Sequence, residues 1–148
     1  MIGKYKIVVL CGSTRFFKTF DEQNCRLTLE GNIVLSIGCN SKSDEHLNLS
    51  EDQKLMLDDL HKRKIDLSDS IFVINVDGYI GSSTQSEINY AISKDKPVEY
   101  LVPICQWCLK PILNINEASI YESIGLAHLE CKLNFDNDCM NAMCGDYS

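Results

Sequence analysis

Residues 71–91 read Ile71-Phe72-Val73-Ile74-Asn75-Val76-Asp77-Gly78-Tyr79-Ile80-Gly81-Ser82-Ser83-Thr84-Gln85-Ser86-Glu87-Ile88-Asn89-Tyr90-Ala91, and the change of pattern along them decides the fold. The opening run, 71–76, is short, continuous and rich in β-branched residues, which predicts a strand buried on both faces, the habit of a parallel sheet. Two glycines then punctuate a loop, and Ser82-Ser83-Thr84 leads into a helical pattern from Gln85, with Ile88 and Ile92 on one face beside Ala91. A strand that runs through a Gly/Ser loop into a helix sets backbone N–H groups at the carboxyl edge of a sheet. Open α/β sheets bind ligands at that edge, and a helix start favours anions. Glu87 falls in the first turn of this helix and is the candidate chemical centre. Its bland alternative is local: Thr84-Gln85-Ser86-Glu87 is itself a capping box, in which Glu87 would bond back to the N–H of Thr84.

Outward from this stretch the same alternation repeats. Residues 5–11 carry the buried-type run Ile7-Val8-Val9-Leu10 and pass through Gly12-Ser13-Thr14-Arg15 into a helix expected to last to about Glu30. Gly12 permits a tight turn or a close ligand, Ser13 or Thr14 can cap the helix, and Arg15 offers a planar fork for phosphate or carboxylate. Plain capping by Ser13 and Thr14, with Arg15 solvating a helix end, is the competing reading. No Walker loop or dinucleotide fingerprint is present. Residues 33–37 form the next strand. The polar segment 38–49 is either a wall or lid over a site or a plain surface loop, and its His46 is a lone histidine without ligand spacing. Ser50-Glu51-Asp52-Gln53 fits a capping box opening a helix that ends near Ser68, and residues 96–102 give a fourth strand with Pro97 at its start. The order β-α-β-α-β-α-β with short connections predicts an α/β, doubly wound parallel sheet, a single domain over residues 1–102.

Composition bounds the function. The 148 residues suffice for one domain with a real core, and 45% hydrophobic with 24% charged residues is ordinary for a globular protein. The net charge of −7, with no basic cluster longer than Lys62-Arg63-Lys64, argues against extended nucleic acid as a partner, while a small nucleotide needs only a local anion site. No apolar stretch reaches membrane-spanning length, and Lys4 and Lys6 lead into a strand rather than a signal peptide. Cys11, Cys25 and Cys39 lie in a cytosolic-looking α/β pattern, so reduced thiols and a cytoplasmic location are expected.

Residues 103–148 form an extension expected to pack on the sheet or on a partner subunit through a helix over about 116–133, with Ile120, Ile124, Ala127 and Cys131 along its apolar face. Cys105-Gln106-Trp107-Cys108 is the chain's C-x-x-C. With two of Cys131, Cys139 and Cys144 it could make a four-thiolate zinc site, Cys105, Cys108, Cys139 and Cys144 being the candidate set. The later spacings lack the second C-x-x-C of a ribbon, so the expectation is of thiols without metal and of no cofactor. A thioredoxin-like role is disfavoured because the motif follows the last strand.

Three stretches, in order, resemble the nucleoside 2-deoxyribosyltransferase superfamily, which also contains deoxynucleoside 5′-monophosphate N-glycosidases, and most resemble its short bacterial and phage members. They are Val9-Leu10-Cys11-Gly12-Ser13-Thr14-Arg15-Phe16, then Leu60-His61-Lys62-Arg63-Lys64-Ile65-Asp66-Leu67-Ser68-Asp69-Ser70-Ile71, then Ser83-Thr84-Gln85-Ser86-Glu87-Ile88-Asn89-Tyr90-Ala91 followed by Lys96-Pro97-Val98. The resemblance implies a flavodoxin-like domain, often dimeric or higher, whose Glu attacks C1′ of a 2-deoxyribosyl nucleoside. On that reading Glu87 is the nucleophile, Asp77, Asp69 or Asp66 protonates the departing base, and Ser13, Arg15, Ser82 and Ser83 hold a 5′-phosphate. Gly12, Thr14, Gly81, Tyr79 and His61 complete the candidate binding set, although Asp77 also suits a turn before Gly78 and Tyr79 could stack on a base or merely cover the loop. The chain departs from the pattern at Gly81, where transferases carry an acid, at Asn89, where Gly is usual, at His61, near the family's functional acid, and at Cys11-Gly12-Ser13, where transferases use an aromatic. These departures favour a monophosphate-handling member over a free-nucleoside transferase. A non-catalytic nucleotide-binding module using the same crevice is the alternative.

Overall fold

A computed structural model of the chain describes residues 3–38, 48–106, 108–114, 118–121, 125–128 and 130–131. The chain divides into two compact units, Met1–Leu101 and Val102–Ser148.

In the first unit the deciding apolar run is β3 (Ser70–Ile74), buried at every residue. It pairs in parallel with β1 (Ile7–Gly12), setting Val9 opposite Ile71 and Gly12 opposite Ile74, and on its other side with β4 (Val98–Tyr100). The short strand β2 (Ile33–Leu35) lies parallel along the far edge of β1, so the four-stranded order is β2-β1-β3-β4. The connections are α1 (Phe17–Leu29), α2 (Glu51–Leu67) and α3 (Ser82–Ser93). Alternate residues of β1 and β3 feed two cores. Val9, Cys11, Ile71 and Val73 meet Ile65 of α2 with Ile88 and Ala91 of α3; Val8, Leu10, Phe72 and Ile74 meet Phe20 and Leu27 of α1. A helix layer on each face explains why both strands read as unbroken apolar runs rather than as alternation. The doubly wound α/β architecture is therefore the one expected.

Local details follow their sequence signals. The α2 capping box forms, with Gln53 N–H donating to Ser50 Oγ at 3.2 Å and Ser50 N–H to Gln53 Oε1 at 2.9 Å. Asp77 sits at φ 53 and Gly78 at φ 80 in the turn after β3, so Asp77 is held in a left-handed conformation that aspartate tolerates better than most residues. Helix α3 opens at Ser82 with Gly81 as its N-cap, three residues earlier than the apolar periodicity indicated. Glu87 consequently lies in the second turn, out of register with the Thr84 capping box, and that local role is not available to it.

Gly12 is explained by packing. A Cβ placed there would lie 2.8 Å from the Ile74 carbonyl oxygen and 3.1 Å from Ile74 Cβ on the neighbouring strand. Gly12→Ala is expected to destabilise the fold by about 1–3 kcal/mol, as overpacking against a backbone does. Urea denaturation checks this; an unchanged midpoint would show that β1 and β3 separate freely at their carboxyl ends.

The second unit corrects the expected helix over 116–133. Its described part contains an antiparallel pair, β5 (Ala118–Tyr121) and β6 (Gly125–His128), with Ala118 opposite His128 and Tyr121 opposite Gly125. Apolar residues three and four apart predict a helix face, but they carry no information on cross-strand pairing, which sets 118–121 and 125–128 as strands. Its small core is Cys105, Ile112 and Ala127, with Ala118 and Cys131 packed against it. His46 and most of the 38–49 segment, along with Cys139 and Cys144, lie outside the described residues. Among the described residues no helix is long and apolar enough to cross a membrane.

Candidate active site

Helix α1 leaves β1 for one face of the sheet and α3 leaves β3 for the other, as their separate cores show. The adjacent carboxyl ends of β1 and β3 are therefore a topological switch point, where an open parallel sheet forms a crevice. A cavity of about 440 Å³ opens there, within the size range of small-molecule sites. It brings together Gly12, Ser13 and Thr14 after β1, Tyr79 and Gly81 before α3, Ser82, Ser83, Thr84 and Glu87 of α3, and His61 of α2. All the sequence-derived binding residues except Arg15 line it.

Arg15 acts from the rim. Its guanidinium stacks 4.4 Å from the centre of the Tyr79 ring, donates to Tyr79 OH at 3.3 Å, and donates through Nε to Ser13 Oγ at 3.2 Å. It thus joins the two loops that form the cavity mouth, and one face of Tyr79 is taken by Arg15. The three candidate acids do not line the cavity. Asp69 accepts a 2.7 Å hydrogen bond from the Ile7 N–H and ties β1 to the entry of β3. Asp66 accepts from Tyr90 OH at 2.7 Å and pairs with Arg63 at 2.8 Å. Asp77 is exposed in its left-handed turn. Their chain positions near strand ends suggested a site role; their side chains serve the strand junction, an α2–α3 brace and a turn.

The carboxylate that sequence reasoning missed is Asp58. It lines the cavity with His61 and Lys64, and borders an adjoining cleft with Lys62, Ser83, Ser86 and Glu87. Asp58, His61 and Lys64 recur at intervals of three along α2, so they share one helix face. That spacing was the available signal. Lys64 is anchored by donating to the Ser36 carbonyl at 2.7 Å, which fastens α2 to the exit of β2.

At the base of the cavity three ionisable groups meet away from water. His61 Nε2 lies 3.4 Å from Cys11 Sγ and 3.6 Å from Glu87 Oε2. The Glu87 side chain is 16% exposed, and its Oε2 has no hydrogen-bond partner among the described residues; the 3.6 Å approach to His61 is longer than a hydrogen bond. Burial pushes the Glu87 carboxyl up to about 7, against the lowering effect of a hydrogen bond with Cys11, with the charge of Asp58 raising it further. Burial pulls His61 down to about 4, helped by the Lys64 ammonium. Burial, then the charge of Glu87, raises the Cys11 thiol well above its ordinary range. Near neutral pH the cluster is thus a neutral imidazole, a neutral thiol and a carboxyl that exchanges its proton easily. Its donor atoms lie within 4.8 Å of one another, so by donor type the trio could also take a soft divalent ion.

Helix α3 adds a second element. Gly81 has no side chain to cap the helix, and the residues whose N–H groups open it, Ser82, Ser83 and Thr84, line the cavity. A helix start of this kind accommodates an anionic group. In the second unit, Cys105 and Cys108 gather with His128 and Cys131 rather than standing apart. Comparison with protein-family models and with curated proteins finds no match to the chain in either.

Proposed function

We propose that the protein cleaves or transfers the N-glycosidic bond of a 2′-deoxynucleoside or its 5′-monophosphate, with Glu87 as the nucleophile. The observation that carries this reading is Glu87 Oε2, a buried carboxylate oxygen without a hydrogen-bond partner among the described residues, at the wall of a nucleotide-sized cavity. Breaking an N-glycosidic bond builds positive charge at C1′, which an adjacent carboxylate stabilises or captures. Glu87 forms the bond to C1′ as the bond to the base nitrogen breaks, and the base leaves with a proton. Asp58, which lines the same cavity, takes the acid role in place of Asp66, Asp69 and Asp77. Water or a second base then displaces Glu87 from C1′. The start of α3 receives the 5′-phosphate, and Arg15 holds Ser13 and Tyr79 at the mouth. The resemblance of residues 9–16, 60–71, 83–91 and 96–98 to the deoxyribosyltransferase superfamily supports the same substrate class.

Chromatography of 2′-deoxynucleosides and their 5′-monophosphates after incubation with the protein tests the proposal. Free base is the expected product, with the monophosphate the better substrate; exchange on adding a second nucleobase would identify a transferase. Nucleotide-dependent thermal stabilisation without turnover would replace the proposal with a binding module. Neither turnover nor binding would remove both.

A further inference from the structure

We propose that the second unit is built around a structural zinc ion held by Cys105, Cys108, His128 and Cys131. Their four ligand atoms all lie within 4.8 Å of one another. Cys108 Sγ is 3.4 Å and Cys131 Sγ 3.9 Å from His128 Nδ1. Zinc bonds of about 2.3 Å to sulfur and about 2.0–2.1 Å to nitrogen, at tetrahedral angles, give edges of roughly 3.5–3.8 Å, so the cluster already has close to the size that the ion requires.

The surroundings orient the ligands as a metal site needs. His128 Nε2 lies 3.1 Å from the Pro111 carbonyl and donates to it, which leaves the Nδ1 lone pair directed at the thiols. The His128 backbone N–H points at Cys105 Sγ at 3.4 Å, a contact that supports negative charge on that sulfur. The first ligand pair sits on a tight loop closed by Cys105 N–H to Lys110 O at 2.8 Å, Leu109 N–H to Cys105 O at 2.9 Å, and a bridge between Ile104 and Pro111. Leu109, directly after Cys108, is held at φ 59, a conformation unfavourable for leucine that the loop nevertheless imposes. The second pair, His128 and Cys131, starts at the last residue of β6 with the same spacing as the first, so a C-x-x-C loop meets an H-x-x-C segment.

Two of the four ligands also belong to the packed interior: among the described residues of this unit, Cys105, Ile112 and Ala127 are buried together, with Ala118 and Cys131 packed against them. Binding replaces three thiol protons, which pass to the buffer, and neutral His128 binds through its lone pair. Four protein ligands leave no open position, so the role is structural rather than catalytic.

Cobalt(II) replacement in the full chain under reducing conditions tests the proposal, because cobalt reports its geometry in the visible spectrum. One equivalent of cobalt should give intense tetrahedral ligand-field bands with thiolate charge transfer, and one equivalent of zinc should bleach them. Cys131→His, which keeps a ligand, should retain tetrahedral bands at a shifted position, and Cys108→Ser should lose the thiolate signal of at least one bond. Cys11→Ser, and the paired change Cys139→Ser with Cys144→Ser, should leave the spectrum unchanged. Absence of stoichiometric binding, a weak octahedral spectrum, or loss of the bands in Cys11→Ser or in the Cys139/Cys144 pair would overturn the assignment.

Discussion

Glu87→Gln is expected to lower turnover of a deoxynucleotide by about 1,000-fold or more while nucleotide affinity stays within a few-fold. The carboxamide has the shape of the protonated carboxyl that burial already favours, with the wild-type group raised to about 7, so the cavity has no reason to rearrange. It can neither ionise nor form a bond to C1′, and the loss therefore falls on kcat rather than on binding. The same residue gives the pH profile its expected form. As nucleophile Glu87 must be ionised, so kcat/KM in the free enzyme should rise about tenfold per pH unit on the limb below about 7, and the general acid sets the behaviour above it. Single-turnover rates and calorimetric binding for the two proteins separate the possibilities. Unchanged turnover in Glu87→Gln would remove this residue from the chemistry.

The second large effect is on stability, and it follows from the burial of Glu87 and His61. Glu87 is raised from 4.5 to about 7 on folding. Below pH 4.5 it is protonated in both states and no difference arises; as pH climbs towards 7 only the unfolded chain releases the proton, and stability falls. At about 1.4 kcal/mol per unit the change is about 3 kcal/mol, complete above pH 7. His61 runs the opposite way. It is lowered from 6.5 to about 4, so its contribution is present above pH 6.5 and is lost as pH falls through 4. Between pH 4.5 and 6.5 the folded chain keeps the proton on Glu87 and the unfolded chain keeps it on His61. The proton counts match, and the two slopes cancel. Relative to wild type, Glu87→Gln should therefore gain about 3 kcal/mol as pH is raised from 4.5 to 7. His61→Gln should gain a similar amount as pH is lowered from 6.5 to 4. Urea denaturation of the three proteins across this range checks both, and parallel pH curves would show that the pair is solvated. Burial of two groups in a shared neutral state, rather than as an ion pair, fits the cost of desolvating charge.

The Glu87–His61 pair belongs to the first unit and the four proposed zinc ligands to the second.

The main sheet was legible from sequence because its signal is periodic and local. Unbroken apolar runs at 7–10 and 71–74, glycine or serine at their ends, and a capping box at Ser50 each state a backbone preference that tertiary contacts did not need to reverse. The crevice was legible for the same reason, since loops after parallel strands meet at one edge whatever their detailed shape. Facing was not legible. Asp66, Asp69 and Asp77 stand close in sequence to strand ends, but only the packed chain shows Asp66 turned to Tyr90, Asp69 to the Ile7 N–H and Asp77 outward. Asp58 was visible only as one carboxylate on a charged helix until α2 was seen to turn it towards Glu87. The strands 118–121 and 125–128 show the limit of periodicity itself, because apolar spacing in the chain does not report the cross-strand pairing that decided their form. The sequence alone thus determined the strands and crossovers of the main sheet and the edge at which its crevice opens. Tertiary structure decided which ionisable groups lose water together, Cys11 with His61 and Glu87, and Cys105 and Cys108 with His128 and Cys131. Desolvation and ligand geometry depend on distances between residues far apart in the chain, and no local pattern encodes them.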